Sequence, residues 1–167
     1  MIRPYEQRDA DALWSLKRAF ERELGSATGD DGKAATYREK LDDTYRESYL
    51  RWVDRCVEES ERTVQLAVVD GDAVGYVFVL PESLAHVWDG AVLNELFVRE
   101  RARGTGVVDD LLAAAVSLAR DQRLPLDRLL LDVDPENDRA RAVYDRWGFE
   151  PWGEMVAREL SVPDPVE

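Results

Sequence analysis

Residues 99–106, Arg-Glu-Arg-Ala-Arg-Gly-Thr-Gly, place three arginines and two glycines between an apolar run, AVLNELFV (91–98), and the helix-like stretch VVDDLLAAAVSLA. That composition suits anion chemistry. The first amides of a helix point outward without partners and carry partial positive charge. Gly104 and Gly106 let the main chain curl close to a bound group, and Arg101 and Arg103 add charge. The spacing lacks the Gly-Lys-Ser/Thr of a nucleotide P-loop. The same residues also fit a plain turn with solvated arginines. Asp109 and Asp110 fall in the first helical turn, where they suit the dipole. They are expected to face solvent, because a phosphate would repel them.

Other reactive side chains are few. Cys56 is the only cysteine, lies in an amphipathic stretch, YLRWVDRCVEE, and reads as a small buried hydrophobe. His86 is the only histidine, in the loop PESLAHVWDG with Trp88, where a place beside a substrate is open to both. One His and one Cys cannot build a typical zinc site, so no metal is expected. Glu95 stands on the strand before the glycines, with Asn94 on the opposite face unless a bulge exchanges them. Asp132 and Asp134 end the next apolar run, and Asn137, Ala140 and Tyr144 share one helix face.

Periodicity supplies the elements that hold these residues. IRPY opens as a short strand, and a helix follows over 9–24, with Leu13, Leu16 and Phe20 at helical spacing. After a polar, Gly-rich break at 25–33, a second helix is predicted over 35–59. Its stripe is Leu41, Tyr45, Tyr49, Trp52, Val53, Cys56 and Val57. Two β-rich runs around Asp70-Gly71-Asp72 predict a hairpin. Strand 91–98, helix 105–120 and strand 127–134 come next. A short helix begins at the N-cap Asn137 and stops at Gly148. Strand 154–162 closes the order β-α-α-β-β-β-α-β-α-β. That order predicts an α/β (α+β mixed) fold, a mixed, mostly antiparallel sheet flanked by helices. A single domain over 1–162 and a tail at 163–167 are expected, with no repeat or linker.

The net charge of −13 and pI near 4.6 argue against a nucleic-acid partner, which needs a basic surface. No apolar run is long enough to span a membrane, and the charged first residues do not read as a secretion signal, so a cytoplasmic protein is expected. Only three of the 22 basic residues are Lys (Lys17, Lys33, Lys40). Few lysines and many acids resemble proteins of salt-loving organisms; a GC-rich genome produces the same arginine bias.

Two blocks together are more specific than either alone. Val98, Arg103, Gly104, Gly106, Val107, Leu111 and Leu112 follow V-x-x-x-x-R-G-x-G-V-x-x-x-L-L, and Arg101, Gly104 and Gly106 match Arg/Gln-x-x-Gly-x-Gly/Ala. Asn137, Ala140, Tyr144, Gly148 and Phe149 follow N-x-x-A-x-x-x-Y-x-x-x-G-F. In this order they resemble the acyl-coenzyme A signature and the second conserved block of the GNAT N-acetyltransferase superfamily, and IRPYEQRDADAL resembles its first strand and helix. Val108 stands where that family usually has Gly or Ala, and Glu100 where Pro is frequent.

The resemblance implies transfer of an acetyl group from acetyl-CoA to a primary amine by direct attack in a ternary complex. It assigns the cofactor to Phe97, Val98, Arg101, Arg103, Gly104, Thr105, Gly106, Val107, Asn137, Ala140 and Tyr144. Phe97 and Val98 would use their backbone on the pantetheine arm, and a main-chain N–H there would steady the oxyanion. An alkyl amine arrives protonated, with a pKa near 10, so a base is required. Glu95 is the candidate base, with Asp132 and Asp134 as rivals, and Tyr144 the candidate acid for the thiolate. The acids Glu21, Glu23, Asp30, Asp31, Asp42 and Asp43 would favour a cationic acceptor, a small molecule or a peptide, although overall acidity accounts for them equally. A homodimer is compatible with the family. The alternatives are an acyl-CoA-binding regulatory module without turnover and an interaction scaffold without ligand.

Overall fold

The computed structural model describes residues 1–27, 35–36, 38–163 and 165. Five strands form one sheet in chain order: β1 (Ile2–Pro4), β2 (Val64–Val69), β3 (Asp72–Val79), β4 (Ala91–Val98) and β5 (Leu129–Leu130). The first four pair antiparallel, and β5 runs parallel to β4. The mixed, mostly antiparallel sheet expected from the element order is therefore present. Helices α1 (Ala10–Ala27), α2 (Asp43–Glu59), α3 (Val107–Asp121) and α4 (Asp138–Arg146) cover it.

Local chemistry sets most boundaries. Arg3 grips Asp9 through two 2.7 Å hydrogen bonds and ties β1 to the turn that leads into α1. The β2–β3 hairpin turns on Asp70 (φ 52°) and Gly71 (φ 86°), the paired left-handed residues of a two-residue hairpin. Asn137 caps α4 by accepting the Ala140 N–H at 3.2 Å, and Gly148 (φ 81°) lies just beyond its end, both as expected.

Three expectations need correction. The helix placed over 35–59 is broken at 40–42: residues 35–36 and 38–39 are helical, the chain turns, and Asp42 accepts the Tyr45 N–H at 2.7 Å and so caps a new helix from Asp43. The strand placed over 127–134 shrinks to Leu129–Leu130. Beyond it Asp134 caps the Glu136 N–H at 2.9 Å, and its carbonyl takes the Asn137 N–H, which turns the chain off the sheet and into α4. The closing strand at 154–162 is not formed, and Met155, Val156 and Leu160 are exposed. Alternation supplies propensity, but a strand exists only when a neighbour completes its hydrogen bonds.

The sheet separates two apolar clusters. On one face Leu13, Leu16, Tyr49 and Val53 of α1 and α2 meet Val64, Leu66, Tyr76, Phe78 and Phe97. On the other, Leu111, Leu112, Ala115 and Leu118 of α3 meet Ala67, Val77, Val79, Leu93 and Val98, with Val143 and Tyr144 of α4 and its C-cap Trp147 packed alongside. Strand β4 contributes to both faces and changes phase on the way. Phe78 pairs with Glu95 but Val79 with Leu93, so Asn94 is an unpaired bulge residue. Leu93 and Glu95 would otherwise share a face; the bulge sends Leu93 to the α3 side and Glu95 to the α1–α2 side.

β3 and β4 approach closely at Gly75. A Cβ there would lie 2.7 Å from the Phe97 carbonyl oxygen and 3.0 Å from Val98 Cγ2. Gly75→Ala is therefore expected to destabilise the fold by about 1–3 kcal/mol through overpacking against backbone, read as a lower urea midpoint with an unchanged slope.

Candidate active site

The stretch between β4 and α3 folds as the sequence suggested. After a single 3-10 turn (Glu100–Ala102), Gly104 (φ 72°) and Gly106 (φ 89°) both take left-handed backbone, and a Cβ on either would meet nothing within 4 Å. Open space beside both glycines leaves room for an approaching group. Gly106 is the N-cap of α3 and supplies no side-chain cap, so the first-turn amides at 107–109 keep their outward donors. Thr105 is turned inward, its hydroxyl donating to the Ala102 carbonyl at 2.6 Å. Asp109 turns toward α4: its Oδ1 accepts Trp147 Nε1 at 2.7 Å and an Arg146 amine at 2.7 Å. Those two bonds hold its carboxyl below the usual range. Asp110 is exposed, as expected.

Neither motif arginine stands free. Arg101 reaches Asp72 at 3.3 Å on the surface. Arg103 donates from Nε to the Val98 carbonyl at 2.9 Å and to Glu23 at 2.7 Å, with its guanidinium over the Phe97 ring. Arg139 of α4 bonds the other oxygen of Glu23. The cofactor residues expected from sequence thus gather around one end of the sheet. Phe97 and Val98 end β4, 101–107 form the cradle, and Asn137, Ala140 and Tyr144 lie on the helix joined to it through Glu23 and Asp109.

Beside the cradle the sheet opens. β5 pairs with β4 only at Ala91↔Leu129 and Val92↔Leu130. Among the described residues, Leu93–Val98 has no strand partner on that side.

Glu95 lies on the α1–α2 face and is 5% exposed. Its Oε1 accepts Lys17 Nζ at 2.6 Å; its Oε2 accepts Tyr49 OH at 2.8 Å and Tyr76 OH at 2.7 Å. Lys17 also contacts Glu21 at 2.6 Å, and Glu21 faces Lys40 at 2.9 Å. Phe20 and Tyr49 lay their rings 5.5 and 4.8 Å from the Lys17 ammonium. Burial works against the Lys17 charge, but Glu95 and Glu21 outweigh it and raise the ammonium above its ordinary value. Burial beside the Glu95 charge pushes the Tyr49 and Tyr76 hydroxyls well above theirs. No motif announces these partners. The one signal is position: Lys17 and Glu21 share the α1 stripe with Leu13, Leu16 and Phe20, where a solvated charge is out of place.

Tyr144 is part-buried on the α3 side, and its ring stands edge-on to Phe149 at 5.5 Å. Burial pushes its hydroxyl up to about 12. The structure does not bring Glu95 and Tyr144 into contact; they lie on opposite faces of the sheet. Of the rival bases, Asp134 is a cap and Asp132 is exposed. Among the acids read as attracting a cation, Glu21, Glu23 and Asp42 are engaged within the fold. Asp30 and Asp31 lie outside the described residues. Trp88 is half-exposed beside the 3-10 segment Glu82–Val87, and His86 Nδ1 lies 3.3 Å from the Ser83 carbonyl.

Residues 17–149 match the Acetyltransferase (GNAT) family, and the chain belongs to it. It is 28% identical over 179 residues to the mycothiol acetyltransferase of Salinispora tropica, covering 93% of this chain and 57% of that protein. The chain thus spans only about half the length of that relative. It is also 28% identical over 131 residues to the Uncharacterized N-acetyltransferase YhfO of Bacillus subtilis, covering 76% of this chain and 83% of that protein. The same fold occurs in a ribosomal-protein-alanine N-acetyltransferase from Brucella melitensis (24% identity, TM-score 0.69, 92% and 86% of the two chains). It recurs in a PaiA N-acetyltransferase from Thermoplasma acidophilum solved with coenzyme A (17%, TM-score 0.70, 90% and 89%).

Two outcomes follow from the buried charges. Lys17→Met leaves Glu95 and Glu21 without their shared cation, and a loss of about 3–5 kcal/mol is expected in chemical denaturation. The raised values of Lys17, Tyr49 and Tyr76 also give stability a direction in pH. The folded state holds these protons where the unfolded chain releases them, above ordinary values of 10.0 for Tyr and 10.5 for Lys. Their contribution is therefore complete below pH 10 and falls as pH rises beyond it. Unfolding midpoints measured from pH 8 to 11 should drop at the alkaline end, and less steeply in Tyr49→Phe.

Proposed function

We propose that the chain is an N-acetyltransferase that moves the acetyl group of acetyl-CoA directly to a primary amine while both are bound. The observation that carries this reading is the uncapped first turn of α3, entered through two left-handed glycines beside the unpaired edge of β4. The amides at 107–109 would hold the diphosphate. The free edge at Phe97 and Val98 would pair with the pantetheine arm as an added strand does, drawing on their remaining main-chain groups because Arg103 already takes the Val98 carbonyl.

The end of β4–β5 pairing after Val92 supports a reading in which the acid and the base act from opposite faces of the sheet. Groups on opposite faces of a continuous sheet cannot serve one reaction; beyond Val92 the sheet is open, and a thioester lying there is accessible from both sides. The amine nitrogen attacks the carbonyl carbon, the C–N bond forms and the C–S bond breaks. The ammonium proton passes toward Glu95. Both Glu95 oxygens already accept hydrogen bonds, so we assign the transfer to an intervening hydroxyl. Tyr49, 5% exposed, is nearer the surface than Tyr76 at 0%. Tyr144 supplies the proton to the departing thiolate; a hydroxyl pushed up to about 12 stays protonated through the neutral range. The acceptor is a small-molecule or peptide amine.

Tyr144→Phe is expected to lower kcat by about 10²–10⁴ with the KM for acetyl-CoA little changed, the signature of a lost general acid. Turnover equal to the parent across pH 6–9 would remove Tyr144 from that role. The acceptor class is tested by acetylation of a panel of amines (polyamines, aminoglycosides, amino acids and peptides with a free N-terminus) at low and molar salt.

A further inference from the structure

Glu23 carries no motif, yet it is where three elements meet. It lies on α1, accepts Arg103 of the cradle at 2.7 Å on one oxygen and Arg139 of α4 on the other. Its side chain is 28% exposed and that of Arg103 25%. Arg103 is fixed again by the Val98 carbonyl and the Phe97 ring. Asp109 with Arg146 and Trp147 ties the far end of α4 to α3. Burial alone would raise the Glu23 carboxyl, but the bonds from Arg139 and Arg103 outweigh it and hold it below the ordinary range, so it stays charged.

We infer that Glu23 is a positioning residue that locks the cofactor cradle to the helix bearing Tyr144 by holding Arg103 and Arg139 at once. The inference rests on the acetyl-transfer reading and adds a division of labour to it. Arg103 belongs to the clamp and keeps the loop in its anion-accepting shape, while the main-chain amides take the phosphates. Arg139 sets where α4, and with it Tyr144, stands against the cradle. A two-oxygen carboxylate serves two guanidinium groups; an amide has one accepting oxygen and would turn its NH₂ toward the second cation.

The test measures coenzyme A binding by calorimetry beside steady-state acetylation. Glu23→Gln should weaken coenzyme A about tenfold and lower kcat by a similar factor, from the loss of charge-assisted hydrogen bonds. Glu23→Asp should recover part of both. Arg139→Ala should lower kcat while leaving coenzyme A binding within about twofold, because Arg103 keeps its bonds to Glu23 and Val98. The Glu23→Gln/Arg139→Ala double variant should be no slower than Glu23→Gln alone, since the two residues act as one unit. Glu23→Gln with parental affinity and kcat overturns the clamp, as do effects that simply add in the double variant. A parent chain that binds coenzyme A and turns over while Glu23→Gln does so equally removes only the clamp. A parent that binds no coenzyme A removes the acetyl-transfer reading along with it.

Discussion

A carboxylate taken out of water costs several kcal/mol unless its charge is met, and the way Glu95 is met organises one whole face of this molecule. Its cation comes from α1, one hydroxyl from α2 and another from β3, all within 2.6–2.8 Å. No two of those elements can shift independently without leaving a buried charge or phenol unsatisfied. The cluster therefore acts as a polar keystone inside an otherwise apolar layer of Leu13, Leu16, Val53 and Phe78. The chain of contacts extends to Glu21 and Lys40, which carries the balance of charge outward from the core.

The bulge at Asn94 is what makes that cluster possible. Without one extra residue in β4, Glu95 would share a face with Leu93 and point at the aliphatic layer under α3, where nothing could neutralise it. The same strand then loses its neighbour after Val92, because Asp134 and Asn137 divert the following segment into α4. A change of phase and a loss of partner within a few residues give β4 a charged side chain on one face, an open edge and a glycine cradle at its end.

On the opposite face, α4 is joined to the rest by apolar contacts of Val143 and Tyr144 and by ion pairs at both of its ends. Its N-terminal half is held through Arg139 and Glu23, its C-terminal half through Arg146, Trp147 and Asp109. This helix has no fully buried residue, and ion pairs with α1 and α3 add to the part-buried contacts of Val143 and Tyr144 in fixing its orientation. Placement of Tyr144 thus depends on pairings with residues far away in the chain.

The cradle, the hairpin at Asp70-Gly71, the Asn137 cap and the Gly148 stop were all legible in the sequence. Each is decided by the backbone preferences and side-chain reach of a few consecutive residues, and glycine at positive φ or a cap two or three residues from its amide means the same thing in any fold. Tertiary structure alone decided that Lys17 and Tyr49, 78 and 46 residues away, would close on Glu95. It alone decided that Arg103 would be spent on Glu23, and that the alternating run at 154–162 would find no strand to join. Register, burial and charge pairing depend on which element lies across the gap, and no window of sequence contains that information.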